Sequence, residues 1–463
     1  MIERTQLCKL FNLIASWLLV ASHANAADES WQEQPTNLSG ENYAGFPRIA
    51  INRDDKTIVT WYGGSNTTFY RIAPNGNDWR QIEDGPTGVS VDVDVLPDGS
   101  FVRMSGRSDR FQRGVMGEAM VWGESQPRIP ELAPGDLKER ERRETRVLED
   151  GSLFSTWLQT ENGYYRLYSS RANPDNTLSD FGPLSLGQES VAPGRDYSLE
   201  IAPNGSAVVL FSSFVNSEYR TRYTRFIPGA DRWSPFPLPV LDYPTEDHTM
   251  VYGASLANND FMLSWIEEYN DAGTSRIATR VLDNSGNLSD PVVHAETNSP
   301  TAAVDVAATA TDPTSGNGML VWLEEVDYLQ HDPIVKSAHY QSGTWSYDVI
   351  NTGPAVMGSL DDTPLFLVAR GSDSYLLVGF DERSKRLMSM SYSEGAWSGP
   401  DYGPNIEGGR LWNATLTPDG EVLALLRGQY PDRSLSLVRY GAKSHQPATG
   451  LPIWLLYEAS KQP

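Results

Sequence analysis

The stretch "SLEIAPNGSAVVLFSS", residues 198–213, alternates polar and apolar side chains, turns at Pro-Asn-Gly, and returns as an apolar run. Period-two patterning on both sides of an Asn-Gly turn is the signature of a β-hairpin. Seven other stretches read the same way. They are "RIAINRDDKTIVTWYG" (48–63), "DVDVLPDGSFVRMSGR" (92–107), "ETRVLEDGSLFSTWLQ" (144–159), "YGASLANNDFMLSWIEE" (252–268), "DVAATATDPTSGNGMLVWLEE" (305–325), "TPLFLVARGSDSYLLVGFDE" (363–382) and "WNATLTPDGEVLALLRG" (412–428). Their turns, at Asp55, Gly99, Gly151, Gly205, Asn259, Gly316, Ser372 and Gly420, recur every 44 to 57 residues.

After each hairpin comes a further strand-like run, such as "YYRLYSS", "RTRYTRFI" or "SLSLVRY", and then a fourth that often opens with Trp. Four strands in a repeat of this length make one propeller blade, so the expected fold is all-β, a single β-propeller. Trp79, Trp233, Trp345 and Trp397 are expected to open outer strands. Trp61, Trp157, Trp265 and Trp322 share one register of the second strand, where a large flat side chain fills the wedge between blades. Residues 29–38, "ESWQEQPTNL", look like a fourth strand without its blade, whereas the last repeat ends after its third. Pairing the N-terminal strand with the C-terminal repeat closes the ring and covers an open edge. Eight blades are therefore favoured. Seven is the alternative, because the outer half of the second repeat, "GEAMVWGESQPRI", is irregular.

The ends of the chain read differently. Arg4 and Lys9 precede "LFNLIASWLLVA" and the small-residue site "ANA", the pattern of a signal peptide over residues 1–26. The apolar run is too short to span a bilayer, so export to the periplasm or the extracellular space is expected, with no membrane span. Residues 27–445 form the propeller, and the apolar tail 446–463 is expected to pack on it. The only cysteine, Cys8, lies in the signal, so no disulfide is expected. Removing Glu3, Arg4 and Lys9 takes the formal charge from -23 to -24. An acidic chain argues against nucleic acid as a partner. A monomer is expected.

The outer turns "QSGTW" and "SEGAW" resemble the Asp-box of the sialidase-like propeller superfamily, Ser-x-Asp-x-Gly-x-Thr-Trp. Gly343, Thr344 and Trp345 match, as do Gly395 and Trp397, while the Asp position is absent from both. Phe46 to Ile49, "FPRI", is similar to that superfamily's Arg-bearing motif. The resemblance implies propeller architecture over most of the chain. It brings no catalytic set with it, and glycosidase activity does not follow from architecture.

Candidate chemistry lies where first strands begin and second strands end, around the central channel on the face away from the hairpin turns. Acid pairs end three consecutive second strands: Glu267 with Glu268, Glu324 with Glu325, and Asp381 with Glu382. Asp305, Asp361 and Asp362 enter on the same side. Such carboxylates suit calcium, a basic peptide or glycoside hydrolysis, or they simply solvate an acidic protein. No other cofactor is expected. Across the ring stand Arg107, Arg146 and Arg195, able to clamp carboxylate or sulfate. His248 with Tyr252 is the one histidine entering this face, and with an arginine it would form the set a uronate lyase needs. No metal-ligand spacing, nucleophile elbow or phosphate loop occurs. The function expected from sequence is non-catalytic binding of a polysaccharide or protein at the channel face. The alternative is a carbohydrate-active enzyme, a hydrolase or a uronate lyase, using the same face.

Overall fold

The computed structural model describes residues 29–40, 44–63, 67–76, 78–84, 91–105, 110–127, 140–161, 163–184, 190–191, 197–215, 218–234, 237–240, 249–256, 258–269, 274–298, 303–312, 315–325, 334–350, 352, 365–371, 373–381, 383–405, 410–428 and 434–442. These are strands and turns, with a single 3-10 turn at Pro228–Ala230. The expected signal peptide and apolar tail lie outside the described residues.

Eight antiparallel sheets form the blades. Their inner strands are Gly45–Ile51, Val91–Val95, Arg140–Val147, Tyr197–Ile201, Thr249–Ser255, Ala303–Thr311, Phe366–Gly371 and Arg410–Leu416, in blades 1 to 8. Each touches the next around the circle, and Arg410–Leu416 touches Gly45–Ile51, so the ring is an eight-bladed β-propeller. In blade 2 the irregular outer half is a strand in two pieces, Met120–Trp122 and Gln126–Pro127, both paired to Arg110–Met116.

Closure comes from the N-terminus. Glu29–Trp31 pairs with Leu435–Ala442, with Trp31 opposite Tyr440, and Thr36–Asn37 extends the pairing along the same strand. Trp31 is buried, its ring 5.1 Å from Tyr440 and its indole N–H donating to Ser389 Oγ of blade 7 at 3.0 Å. Arg370 of blade 7 binds Glu29 through two hydrogen bonds. An indole buried with its N–H satisfied anchors this strand in the core.

The wedges between blades hold the core. Trp61 packs with Leu423 and Leu425 of blade 8, Trp265 with Val208 and Leu210 of blade 4, and Trp322 with Ile266 and Ile277 of blade 5. Each of these indoles therefore faces the preceding blade. Trp233, Trp345 and Trp397 lie in outer strands as expected. Trp79 differs: it precedes its outer strand, Glu83–Asp84, in a segment tied back by Arg80 N–H to the Ile72 carbonyl at 2.8 Å.

Candidate functional site

A strand at the centre of a propeller has one paired edge and one edge toward the channel, and its side chains alternate between the two neighbouring blades. Counting back from the hairpin turn, the positions seven and five residues before it are Arg48 and Ala50 in blade 1, Asp92 and Asp94 in blade 2, Glu144 and Arg146 in blade 3, and Ser198 and Glu200 in blade 4. These residues reach forward to the next blade. Arg48 Nε bonds Asp92 Oδ1 at 2.8 Å, Glu144 Oε2 accepts the N–H of Leu199 at 3.0 Å, and Glu200 lies over Gly253 of blade 5.

Gly253 is required by that last approach. A Cβ at this position would stand 2.5 Å from Glu200 Cγ and 3.3 Å from Ser198 Oγ, so a larger residue would displace both. Ser198 Oγ donates to Glu200 Oε1 at 2.9 Å. Asp94 Oδ1 accepts the N–H of Val95 at 2.8 Å. From blade 5 onward the same register is uncharged, with Tyr252 in blade 5 and Asn413 and Thr415 in blade 8. At these two positions charge is thus confined to blades 1 to 4, with four carboxyl groups and two guanidinium groups.

Arg146 organises this half. Its side chain is exposed, with carboxyl groups of three blades around it. Partial desolvation opposes its charge, but Glu144, Glu200, Asp94 and Asp92 outweigh that and raise its pKa. Burial also raises Asp94, against the Val95 N–H and Arg146, with Asp92 adding repulsion. Glu200 is pushed up to about 7, chiefly by burial, although Arg146 and Ser198 favour its charged form. A carboxyl group that holds a proton near neutrality can donate it, and this one borders on a carboxylate-rich channel.

The residues singled out from sequence fall into three groups. Arg107, Arg195 and His248 lie outside the described residues, as do Asp361, Asp362 and Glu382, and the side chains of Asp305, Glu268 and Glu325 are likewise undescribed. Arg146 stands at the centre of the charged wall, whereas Tyr252 faces blade 6, packed with Ile266, Val304 and Trp322. The three described acids ending the second strands, Glu267, Glu324 and Asp381, serve their own blades. Glu267 is 0% exposed, accepts the Trp265 indole N–H at 2.5 Å and takes two hydrogen bonds from Arg276 at 2.8 and 3.0 Å. Glu324 pairs with Lys336 at 2.7 Å. Asp381, also buried, caps the turn after it, accepting from Arg383 N–H at 3.1 Å and from the Ser384 hydroxyl. The structure does not bring these three together at the channel.

Arg48 stands in the "FPRI" stretch noted from sequence, whereas Asp92, Asp94, Glu144, Ser198 and Glu200 were not expected at the site, because they lie in strand middles rather than at strand ends. Their signal was present, because aligning the hairpins on their turns puts all of them at two positions of the repeat. Among the described residues no group of three or more His, Cys, Asp or Glu side chains is arranged to hold a metal ion. Nor is any helix there long and apolar enough to cross a membrane. A concavity of about 380 Å³ lies at the rim between blades 6 and 7, lined by Asp348, Val349, Met390, Gly395, Trp397 and Gly399.

No family model matches the chain, and no curated protein matches it. Solved structures do. A streptogramin B lyase is 12% identical with a TM-score of 0.41, covering 90% of this chain and 100% of its own. The polysaccharide lyase Uly1 is 10% identical with a TM-score of 0.46, covering 88% of this chain and 93% of its own. An α-L-arabinofuranosidase from Fusarium graminearum is 12% identical with a TM-score of 0.40, covering 65% of this chain and 93% of its own. The sialidase-like resemblance is supported as propeller architecture, and no Asp-box family is shown.

Proposed function

We propose that the protein binds a glycan in its central channel, against the charged wall of blades 1 to 4. The observation that carries this is the convergence of Asp92, Asp94, Glu144 and Glu200 on Arg146 from three consecutive inner strands. Carboxylates and guanidinium groups accept from and donate to hydroxyls in pairs, which suits a ligand rich in hydroxyls and poor in apolar surface. Channels of this kind bind by a few placed polar groups that fix orientation.

The sign of the wall sets the ligand. Arg48 is engaged by Asp92, and Arg146 already faces four acids, so a uronate would add negative charge to a site that has an excess of it. Neutral oligosaccharides should therefore bind more tightly than uronates. Isothermal titration calorimetry of the mature protein with neutral and uronate oligosaccharides tests this directly. Arg146→Ala should weaken neutral binding by about tenfold or more, as expected for lost charge-assisted hydrogen bonds. Binding unchanged in that variant, or a preference for uronates, would move the site elsewhere.

A further inference from the structure

Each blade ends at its rim in an open strand edge, and nearly all of these edges are blunted. The outer strand of blade 1 is only Glu83–Asp84, those of blades 2, 4, 7 and 8 come in two pieces, and those of blades 3 and 5 pair with a register shift. Blade 6 is the exception among the described residues. Its outer strand, Thr344–Ile350, pairs with Ile334–Gln341 along its whole length without a shift, after a two-residue turn in which Ser342 and Gly343 have φ of 49° and 84°. Such a turn hydrogen-bonds Thr344 to Gln341, so the alternation of an antiparallel ladder points the N–H and C=O groups of Trp345, Tyr347 and Val349 outward. The strand is held in place from blade 5: the Tyr347 hydroxyl lies 3.3 Å from His294 Nδ1, and the Trp345 ring lies 4.5 Å from the His294 ring.

We propose that this edge binds an extended peptide of a partner protein, added to blade 6 as a fifth strand, with a basic side chain between two apolar ones. The site is at the rim and is independent of the glycan reading of the channel. Strand addition takes affinity from main-chain hydrogen bonds and specificity from what alternate side chains meet. On one face the added strand meets Tyr347 and Val349, 51% and 64% exposed, with the exposed Val293 of blade 5 on the same side. Apolar residues suit those cross-strand positions. On the other face it meets Asp348 and the concavity of about 380 Å³ toward blade 7, lined by the buried Met390 and the half-buried Trp397. Gly395 and Gly399 leave that concavity open, since a Cβ at either would meet nothing within 4 Å. Asp348 and Glu394 are exposed on this side, so a lysine or arginine belongs opposite Asp348. Charge also chooses among occupants. Two copies pairing edge to edge would bring together chains of formal charge -23 each. In the chain's own residues 446–463 the single cation, Lys461, stands between Ser460 and Gln462, without apolar neighbours.

Fluorescence anisotropy of the protein with a labelled heptapeptide that alternates valine and lysine tests the proposal. In the expected register the valines lie opposite Tyr347 and Val349 and exchange hydrogen bonds with them, and a lysine lies opposite Asp348. N-methylation of the valines should therefore abolish binding, whereas N-methylation of the lysines should leave it. Asp348→Lys should weaken binding about tenfold or more and turn the preference toward the peptide with glutamate in place of lysine. Val349→Pro removes an outward N–H that the pairing with Ile334–Gln341 does not use, so binding should be lost without a large change in melting temperature. Equal binding of the valine-methylated peptide would reduce the effect to attraction by net charge and overturn the proposal, as would absence of binding. A dimer that Val349→Pro dissociates would give the edge to a second copy, and binding gained only when residues 446–463 are removed would give it to the chain itself. Either result overturns a partner peptide.

Discussion

At Gly253 the distance of 2.5 Å between an added Cβ and Glu200 Cγ makes a one-carbon change a test of the channel wall. Gly253→Ala should displace Glu200, cost about 1–3 kcal/mol by overpacking, and weaken glycan binding measured by calorimetry. Glu200 itself links stability to pH. The native protein keeps this proton up to about pH 7, whereas an unfolded glutamate releases it near 4.5, so the folded state binds more protons between those values. Stability should therefore fall as pH rises through that window, by up to about 3 kcal/mol at about 1.4 per unit. Urea unfolding of Glu200→Gln should show a flatter dependence over the same range, and an unchanged slope would contradict the assignment. Glu267 makes the opposite case. Glu267→Ala should cost about 1–3 kcal/mol, because it leaves the buried Trp265 indole N–H without its acceptor and takes a carboxylate from the part-buried Arg276. Thermal melts check that value, and glycan binding by the folded fraction should be unchanged.

Elements were the most legible level of the sequence. Turn chemistry announced the hairpins: Gly99, Gly151 and Gly205 have φ of 83°, 80° and 79°, and Asn259 has 67°, the left-handed region that Gly and Asn tolerate. The Trp register of the second strand was read correctly for the same reason, since a period of two fixes which face a residue takes. That period also bears on Glu267. It stands two residues after Trp265, on the face that buries the indole, and it is spent there on Trp265 and Arg276. The charged wall was less visible because its residues lie in the middle of inner strands, where a polar side chain looks like the solvent face of an ordinary hairpin. Only closure of the ring turns that face toward a channel. The closing strand gives an element-scale prediction. Deleting residues 29–38 should lower the melting temperature markedly, because it removes the Trp31 anchor and exposes the edge of Leu435–Ala442. An unchanged melting temperature would contradict closure.

Across the whole molecule the eight blades are alike in backbone and unlike in what their inner strands carry. Blades 1 to 4 supply a run of charge, Arg48, Asp92, Asp94, Glu144, Arg146 and Glu200, each reaching toward the blade that follows. In blades 5 and 6 the inner strands instead join directly, with the Thr309 hydroxyl donating to the Gly253 carbonyl at 3.0 Å and the Thr311 hydroxyl to that of Ser255. This division gives a ligand one wall to recognise within a symmetric ring, which is how a repeat fold acquires a single site. A crystal structure of the protein grown with the neutral oligosaccharide that binds most tightly would test the account most directly. The sugar should lie in the channel within hydrogen-bonding distance of Arg146 and Glu200. A sugar seated instead in the rim concavity between Asp348 and Gly399, with the channel free of it, would contradict the account.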